Sequence, residues 1–144
     1  MEAINPDRFD VNVGPKLDKA PKTKRGDLTP EGLLDKSMLS SLKGMNARGS
    51  DIYFRPLKDN DGKLPPLAMV DDLGEEQVQQ LDQDVGVAAV VETSPNNYQA
   101  WVRLRDDNER VDEEVISLVR RYLTYAYGGD EAASKAADQA GKLP

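Results

Sequence analysis

The most regular hydrophobic pattern in the chain runs over residues 111–127. There Val111, Val115, Leu118, Val119, Tyr122, Leu123 and Ala126 recur at helical spacing, and Gly128-Gly129 ends the run. A pattern of period two precedes it. An apolar stretch at 87–91 leads into the polar turn Ser94-Pro95-Asn96-Asn97, and an alternating segment leaves that turn. Tyr98, Ala100, Val102 and Leu104 fall on one face, and Gln99, Trp101, Arg103 and Arg105 on the other. This predicts a hairpin of strands 87–93 and 98–104. Upstream, 67–73 reads as an apolar strand ending in Asp71-Asp72. Residues 74–85 read as a short helix with Val78, Leu81 and Val85 inward, stopped by Gly86.

Nearer the N-terminus the pattern weakens. Thr29 is placed to cap a helix over 30–43, with Pro30 at its first position. Leu34, Met38, Leu39 and Leu42 would share one face, and Gly44 and Asn46 would end the helix. Residues 52–57 read as a strand ended by Pro56, and 58–66 as a polar loop. Its tip, Asp59-Asn60-Asp61-Gly62, resembles the start of a calcium loop but lacks the closing glutamate, which favours a plain turn. Residues 1–29 hold Pro6, Pro15 and Pro21 and show no apolar period. They are expected to form an extended or disordered leader, whose basic cluster at 16–25 is a solvated tail or an electrostatic tether. Residues 130–140 suggest an Ala-rich helix capped by Asp130.

From residue 67 the order is strand, helix, strand, strand, helix, five of the six elements of a split β-α-β unit. The expected fold class is α+β: a ferredoxin-like or RRM-like palm over 30–144, an antiparallel sheet with helices on one face, preceded by an N-terminal helix. The last strand is expected to be missing. The second sheet face, bearing Gln99, Trp101, Arg103 and one of Asp71 and Asp72, is either covered by the N-terminal helix or open to a ligand.

Composition narrows the chemistry. The chain of 144 residues has no cysteine and no histidine, which excludes thiol catalysis, a histidine base and the common zinc sites. No stretch approaches the roughly 18 apolar residues of a membrane span, and no apolar segment near Met1 suggests a secretory signal. A cytoplasmic location without membrane contact is expected. No exposed apolar stripe stands out, so a monomer is expected. The net charge of −7 divides unevenly: residues 1–50 carry nine basic and seven acidic groups, and residues 51–144 carry ten and nineteen. So acidic a domain is no general DNA clamp, although bound Mg²⁺ or Mn²⁺ reverses the local charge where carboxylates gather.

Several residues are candidates for that chemistry. Asp71 and Asp72, at a strand end, either hold a metal that bridges phosphates or help to start the next helix, Asp72 as its cap. Ser94 and Asn97 in the hairpin turn either hold a phosphate or simply make the turn. Arg55 is a phosphate ligand or a surface charge. Trp101, beside Gln99 and Arg103, either stacks on a base or packs under a neighbouring element. Asp130 after the paired glycines is most simply a helix cap.

An ordered set of short segments carries a resemblance. It comprises Asn46-x-x-Gly49-Ser50-Asp51-Ile52-Tyr53-Phe54-Arg55-Pro56, Val70-Asp71-Asp72-Leu73, Glu92-Thr93-Ser94-Pro95-Asn96-Asn97-Tyr98-Gln99-Ala100-Trp101, Tyr127-Gly128-Gly129-Asp130 and Gly141-Lys142-Leu143-Pro144. Across roughly 40–144 it resembles the RepB-like primase domain of plasmids and mobile elements, a branch of the archaeo-eukaryotic primase superfamily. The resemblance implies a palm that makes short primers on a single-stranded DNA template from nucleoside triphosphates, alongside other replication or mobilisation proteins. It implies Mg²⁺ or Mn²⁺ held by Asp71 and Asp72, with Asp130 near a third acidic position. Arg55, Ser94, Asn97, Gln99 and Lys142 would bind nucleotide, and Trp101 and Arg103 nucleic acid. The chain departs from the superfamily pattern at three places. Its aspartates are adjacent rather than separated by one residue, Gln99 stands where a histidine is common, and the family continues beyond Pro144. A palm truncated at its C-terminal end is therefore expected. A non-catalytic module that binds single strands, or a protein-interaction domain, is the alternative on the same fold.

Overall fold

The computed structural model describes residues 8–15, 23–107, 109–132 and 141–142. Strands β1 (Phe9–Pro15) and β2 (Thr23–Leu28) come first, then helices α1 (Pro30–Leu34) and α2 (Lys36–Ala47) and strand β3 (Ser50–Pro56). Strand β4 (Leu67–Leu73), helix α3 (Glu75–Val85), strands β5 (Ala89–Ser94) and β6 (Asn97–Arg103), helix α4 (Glu113–Tyr127) and strand β7 (Gly141–Lys142) follow. All strand pairs are antiparallel. The fold class is mixed α and β with antiparallel sheets, as the pattern implies, but there are two sheets rather than one. Their orders are β2-β1-β3-β7 and β4-β6-β5.

The second sheet is the part foreseen from residue 67 onward. Its two faces follow the alternation of β6. Ala100 and Val102, with Ala68 and Val70 of β4, pack with Leu81 of α3 and Leu123 of α4. The opposite face is buried as well. Leu67, Met69 and Trp101 join Phe9, Val11, Val13, Ile52 and Phe54 of the first sheet, with Leu33 and Leu42 of α1 and α2. The sheet face expected to be covered by a helix or left open is thus covered mainly by the first sheet.

That first sheet draws on the segment expected to be a leader. Residues 9–15 and 23–28 are strands, and Phe9 and Val11 are fully buried. The reason lies in Phe9, Val11 and Val13, which are spaced by two and oppose Pro56, Phe54 and Ile52 of β3. Three apolar residues suffice for half of a buried strand, and the surrounding charges masked them. The last strand is also present: Gly141–Lys142 pairs with β3, Tyr53 opposite Lys142 and Phe54 opposite Gly141.

The helices differ in detail from expectation. Thr29 caps α1, its Oγ1 accepting from Gly32 N at 3.2 Å, with Pro30 at the first position. The expected single helix is broken at Asp35, whose carboxylate accepts from Ser37 N and Met38 N and starts α2. Leu33 rather than Leu34 turns inward, and α2 continues through Gly44 and Asn46 to Ala47. Helix α4 buries Ile116, Arg120, Leu123 and Thr124. The apolar stripe seen in the sequence is only partly buried: Val115, Leu118 and Tyr122, together with Tyr125, are exposed. An exposed apolar stripe therefore does exist, and the ground for expecting a monomer falls away. Among the described residues no helix is long and apolar enough to cross a membrane. The Ala-rich helix expected over 130–140 lies largely outside the described residues.

Candidate functional site

The site is organised by an irregularity in β4. Leu67 to Val70 pair in step with Arg103 to Ala100, but Leu73 pairs with Tyr98, so Asp71 and Asp72 together oppose Gln99. Such a bulge adds one residue to a strand and re-aims its side chains. Asp72 takes a left-handed backbone, φ +63°, which aspartate tolerates better than most residues. The step from strict alternation is what puts two consecutive carboxylates at one strand end. Neither starts the next helix. Gly74 is the N-cap of α3, its N–H donating to Gln77 Oε1 at 2.8 Å, so the reading of Asp72 as helix cap is corrected.

The two carboxylates have near partners. Asp71 Oδ1 accepts from Asp72 N at 2.9 Å, and Asn97 Nδ2 donates to Asp72 Oδ1. Asn97 Oδ1 is buried and has no hydrogen-bond partner among the described residues. The loop after α4 closes on the same strand end. Gly128 takes a left-handed conformation, and Asp130 N donates to Asp71 O at 3.0 Å. Gly129 has to be glycine: a Cβ there would lie 2.8 Å from Asp71 O and from Val70 Cγ1. Asp130 Oδ1 accepts from Ala132 N at 2.8 Å, the local turn a capping aspartate makes, while its main chain is what touches Asp71.

A second irregularity lies across β6. Ala89 to Glu92 pair in step with Trp101 to Tyr98, but Ser94 pairs with Asn97, leaving Thr93 as the extra residue. Ser94 is exposed at the turn, and Asn96 there has φ +61°. The Thr93 carbonyl accepts from Lys142 Nζ at 3.0 Å, and Gln99 Oε1 accepts from Lys142 N at 2.7 Å. Lys142 Nζ also pairs with Asp51 Oδ1 of β3 at 3.0 Å. Strand β7 is thus pinned to both sheets, and Gly141 lies so close to the Trp101 ring that a side chain would collide with it.

Of the residues singled out from sequence, Asp71, Asp72, Asn97 and Asp130 come together at one end of the β4-β6 pair, with Gln99 opposite the bulge. Ser94 is paired with Asn97, and Lys142 meets Gln99. Arg55 belongs elsewhere on β3, where its guanidinium pairs with the buried Asp10 at 3.0 Å. Trp101 is 3% exposed and stacks at a tilt on Phe54, ring centroids 5.4 Å apart, so its assignment as a nucleic-acid contact is corrected to core packing. Arg103 pairs with Leu67 at the opposite end of β4 from the bulge. Sequence reading missed Asp51, Thr93 and Gly129 as parts of the site. Asp51 alternates with Tyr53 and Arg55 on β3, a polar face that a strand pattern can show. The role of Thr93 is carried by its backbone and leaves no trace in residue type.

As a donor set, two carboxylates and an amide oxygen are hard oxygens of the kind Mg²⁺ and Mn²⁺ prefer. Among the described residues no group of three or more histidine, cysteine or acidic side chains is arranged to hold a metal ion. Two adjacent carboxylates would fit such an ion only where phosphates and water complete its shell.

Comparison with known proteins places the fold in a family. The model of the RepB DNA-primase N-terminal domain matches residues 17–144. A mobilization protein A of Escherichia coli is 38% identical over 94 residues, 65% of this chain and 12% of its own length. A DNA primase of Acidithiobacillus ferrooxidans is 29% identical over 113 residues, 78% of this chain and 30% of its own length. The chain therefore spans less than a third of either curated relative. The crystal structure of the catalytic domain of primase RepB′ in complex with initiator DNA superimposes with a TM-score of 0.81 at 31% identity, covering 99% of this chain and 70% of that one. With its two-sheet core, its paired aspartates and a family match across most of its length, this chain belongs to the RepB DNA-primase family, as an N-terminal primase domain.

Proposed function

We propose that this domain is the nucleotide-transfer palm of a DNA primase acting in plasmid or mobile-element replication, making primers from nucleoside triphosphates on single-stranded DNA with Mg²⁺ or Mn²⁺. The observation that carries the proposal is the β4 bulge, which sets Asp71 and Asp72 side by side opposite Gln99. In this reading the two carboxylates hold the ion and Asn97 steadies Asp72. Asp130 contributes through the backbone bond that holds its loop on Asp71. Lys142, Ser94 and Gln99 orient the triphosphate. When bound, the ion neutralises phosphate charge and lowers the pKa of the attacking hydroxyl. The chain's own part is to position reactants, worth several kcal/mol of barrier when the geometry is right. The RepB′ complex with initiator DNA supports a DNA partner for the same fold.

The test is calorimetric titration of a nucleoside triphosphate with Mn²⁺, on wild type and on an Asp71→Asn, Asp72→Asn double variant. Asparagine keeps the shape and tolerates the left-handed backbone at position 72, so the variant keeps its fold. Metal-dependent binding by wild type that the folded variant lacks is the expected result. Equal binding by both sinks the metal assignment.

A second reading is a module that binds single strands without chemistry. The absence of a three-acid group among the described residues favours it. It predicts DNA binding that is indifferent to divalent ions and to the double variant.

A further inference from the structure

Lys142 is the point at which the two sheets are tied together near the site. Its ammonium donates to Thr93 O on β5 and pairs with Asp51 Oδ1 on β3, both at 3.0 Å, while its own N–H holds Gln99. Asp51 is nearly buried, 8% exposed, and the Tyr53 hydroxyl lies 3.5 Å from its other oxygen. Asp51, Tyr53 and Lys142 share one face of the β3-β7 pair, because Tyr53 opposes Lys142 and Asp51 lies two residues before Tyr53. Thr93 is the bulged residue of β5, which is why its carbonyl is available to an ammonium rather than to the β-ladder. The Lys142 side chain remains a quarter exposed, 24%, so solvent reaches it. An ammonium has three donors, and these two bonds use two of them.

We propose that Asp51 is a positioning residue that sets triphosphate affinity. Its carboxylate occupies the place of a phosphate oxygen on the Lys142 ammonium until a nucleoside triphosphate displaces it. The inference rests on the reading of this end of the sheets as a nucleotide site. Lysine meets carboxylate and phosphate alike as a point charge, so the two anions compete for it. The polyanion wins because it brings more charge, yet it has to break an existing, partly exposed pair to do so. In the free protein the same pair keeps a cation from standing uncompensated between the sheets, and holds β7 on β3.

Competition fixes the sign of the effect. Removing the charge of Asp51 without changing its size releases Lys142, and triphosphate binding tightens. A pair of this partly exposed kind corresponds to roughly 2- to 5-fold in dissociation constant. A merely structural role for Asp51 predicts the opposite, weaker binding through a loosened β7.

The experiment is equilibrium binding of ATP with Mn²⁺ to the full chain, for wild type, Asp51→Asn, Asp51→Glu, Lys142→Met and the Asp51→Asn, Lys142→Met double variant. Thermal unfolding checks that each is folded. Support consists of tighter binding by Asp51→Asn, wild-type affinity in Asp51→Glu, weaker binding by Lys142→Met, and no further effect of Asp51→Asn in the Lys142→Met background. Weaker or unchanged binding by folded Asp51→Asn overturns the proposal, as does tightening that persists without Lys142, since that is general repulsion of the ligand by a carboxylate. If Asp51→Asn alone unfolds, Asp51→Glu decides: a folded Asp51→Glu at wild-type affinity supports the carboxylate's role, and any other affinity overturns it. Should wild type bind no ATP with Mn²⁺, the nucleotide-site reading itself fails, and this inference with it.

Discussion

Replacing Trp101 by alanine separates a core residue from a nucleic-acid contact. Trp101 is 3% exposed, lies opposite Met69 on the neighbouring strand and is tilted against Phe54. A buried aromatic of this kind removes about 200 Å² from water, and at ~25 cal/mol per Å² that corresponds to about 5 kcal/mol. Truncations of large aromatics in cores cost about 3–5 kcal/mol, so ~4 kcal/mol is expected here. For 144 residues, an unfolding entropy of about 2.1 cal/mol/K per residue turns this into a fall of roughly 13 °C in the thermal midpoint. The assay is circular dichroism on heating, with Trp101→Phe as a partial replacement expected to fall by less. Because Trp101 is the sole tryptophan in the sequence, its fluorescence reports the same site directly. Iodide is expected to quench it weakly, and added single-stranded DNA not at all. A midpoint lowered by less than about 3 °C in Trp101→Ala refutes the reasoning. So does DNA quenching of Trp101 fluorescence in the folded wild type.

Other perturbations test the frame around the site. Gly129→Ala brings a Cβ to 2.8 Å from Asp71 O and Val70 Cγ1; an overpacking cost of about 1–3 kcal/mol and weakened metal-dependent ATP binding are expected, read by denaturant unfolding and calorimetry. Wild-type stability in that variant would show that the loop does not press on β4. Thr29→Ala removes the oxygen that caps Gly32 N and is expected to cost about 1 kcal/mol in the same unfolding experiment, with nucleotide binding unchanged. Asp35 is held below its ordinary value of 3.8, first by the Ser37 hydroxyl and then by the Met38 and Ser37 amides. The folded form thus favours the carboxylate, and its contribution is present above pH 3.8 and fades as the pH falls through the lowered folded value. Asp35→Asn is expected to flatten that part of the acid limb in midpoint against pH, and an unchanged limb would discount the cap.

The half of the fold from residue 67 onward was legible because its elements are long and evenly patterned. Strand β4 has the predicted bounds, and α3 and the hairpin lie within a residue or two of theirs. Of the first sheet, β3 was legible as a strand over 52–57, but β1 and β2 were not, because they hide their apolar residues among charges that pair across the sheet, as Asp10 does with Arg55. Helix α4 shows a different limit. It has more apolar residues than one face needs, and Arg120 is buried because its Nε donates to Met69 O at 2.7 Å. A pattern that counts only apolar positions therefore misses part of the buried face. At the site, residue types gave the aspartates and Gln99, and the family resemblance gave Lys142. The two bulges that bring them together, and the Thr93 carbonyl, are backbone events that no residue name announces.

The sheet built from β1, β3 and β7 has a consequence for the order in which the molecule assembles. The segment from β4 to α4 is contiguous, and its neighbours in sequence are neighbours in space, so its contacts close early and cheaply. The other sheet joins strands centred near residues 12, 53 and 141, and each junction closes a long loop. Strand β7 is two residues long and its bonds run to Gln99, Thr93 and Asp51 on other strands, so it docks once those strands already stand in place. Gln99 and Lys142, 43 residues apart, therefore meet in the closing step of folding. The rate of that step, followed by the burial of Trp101 in a refolding experiment, is a clock for completion of the site as well as of the core.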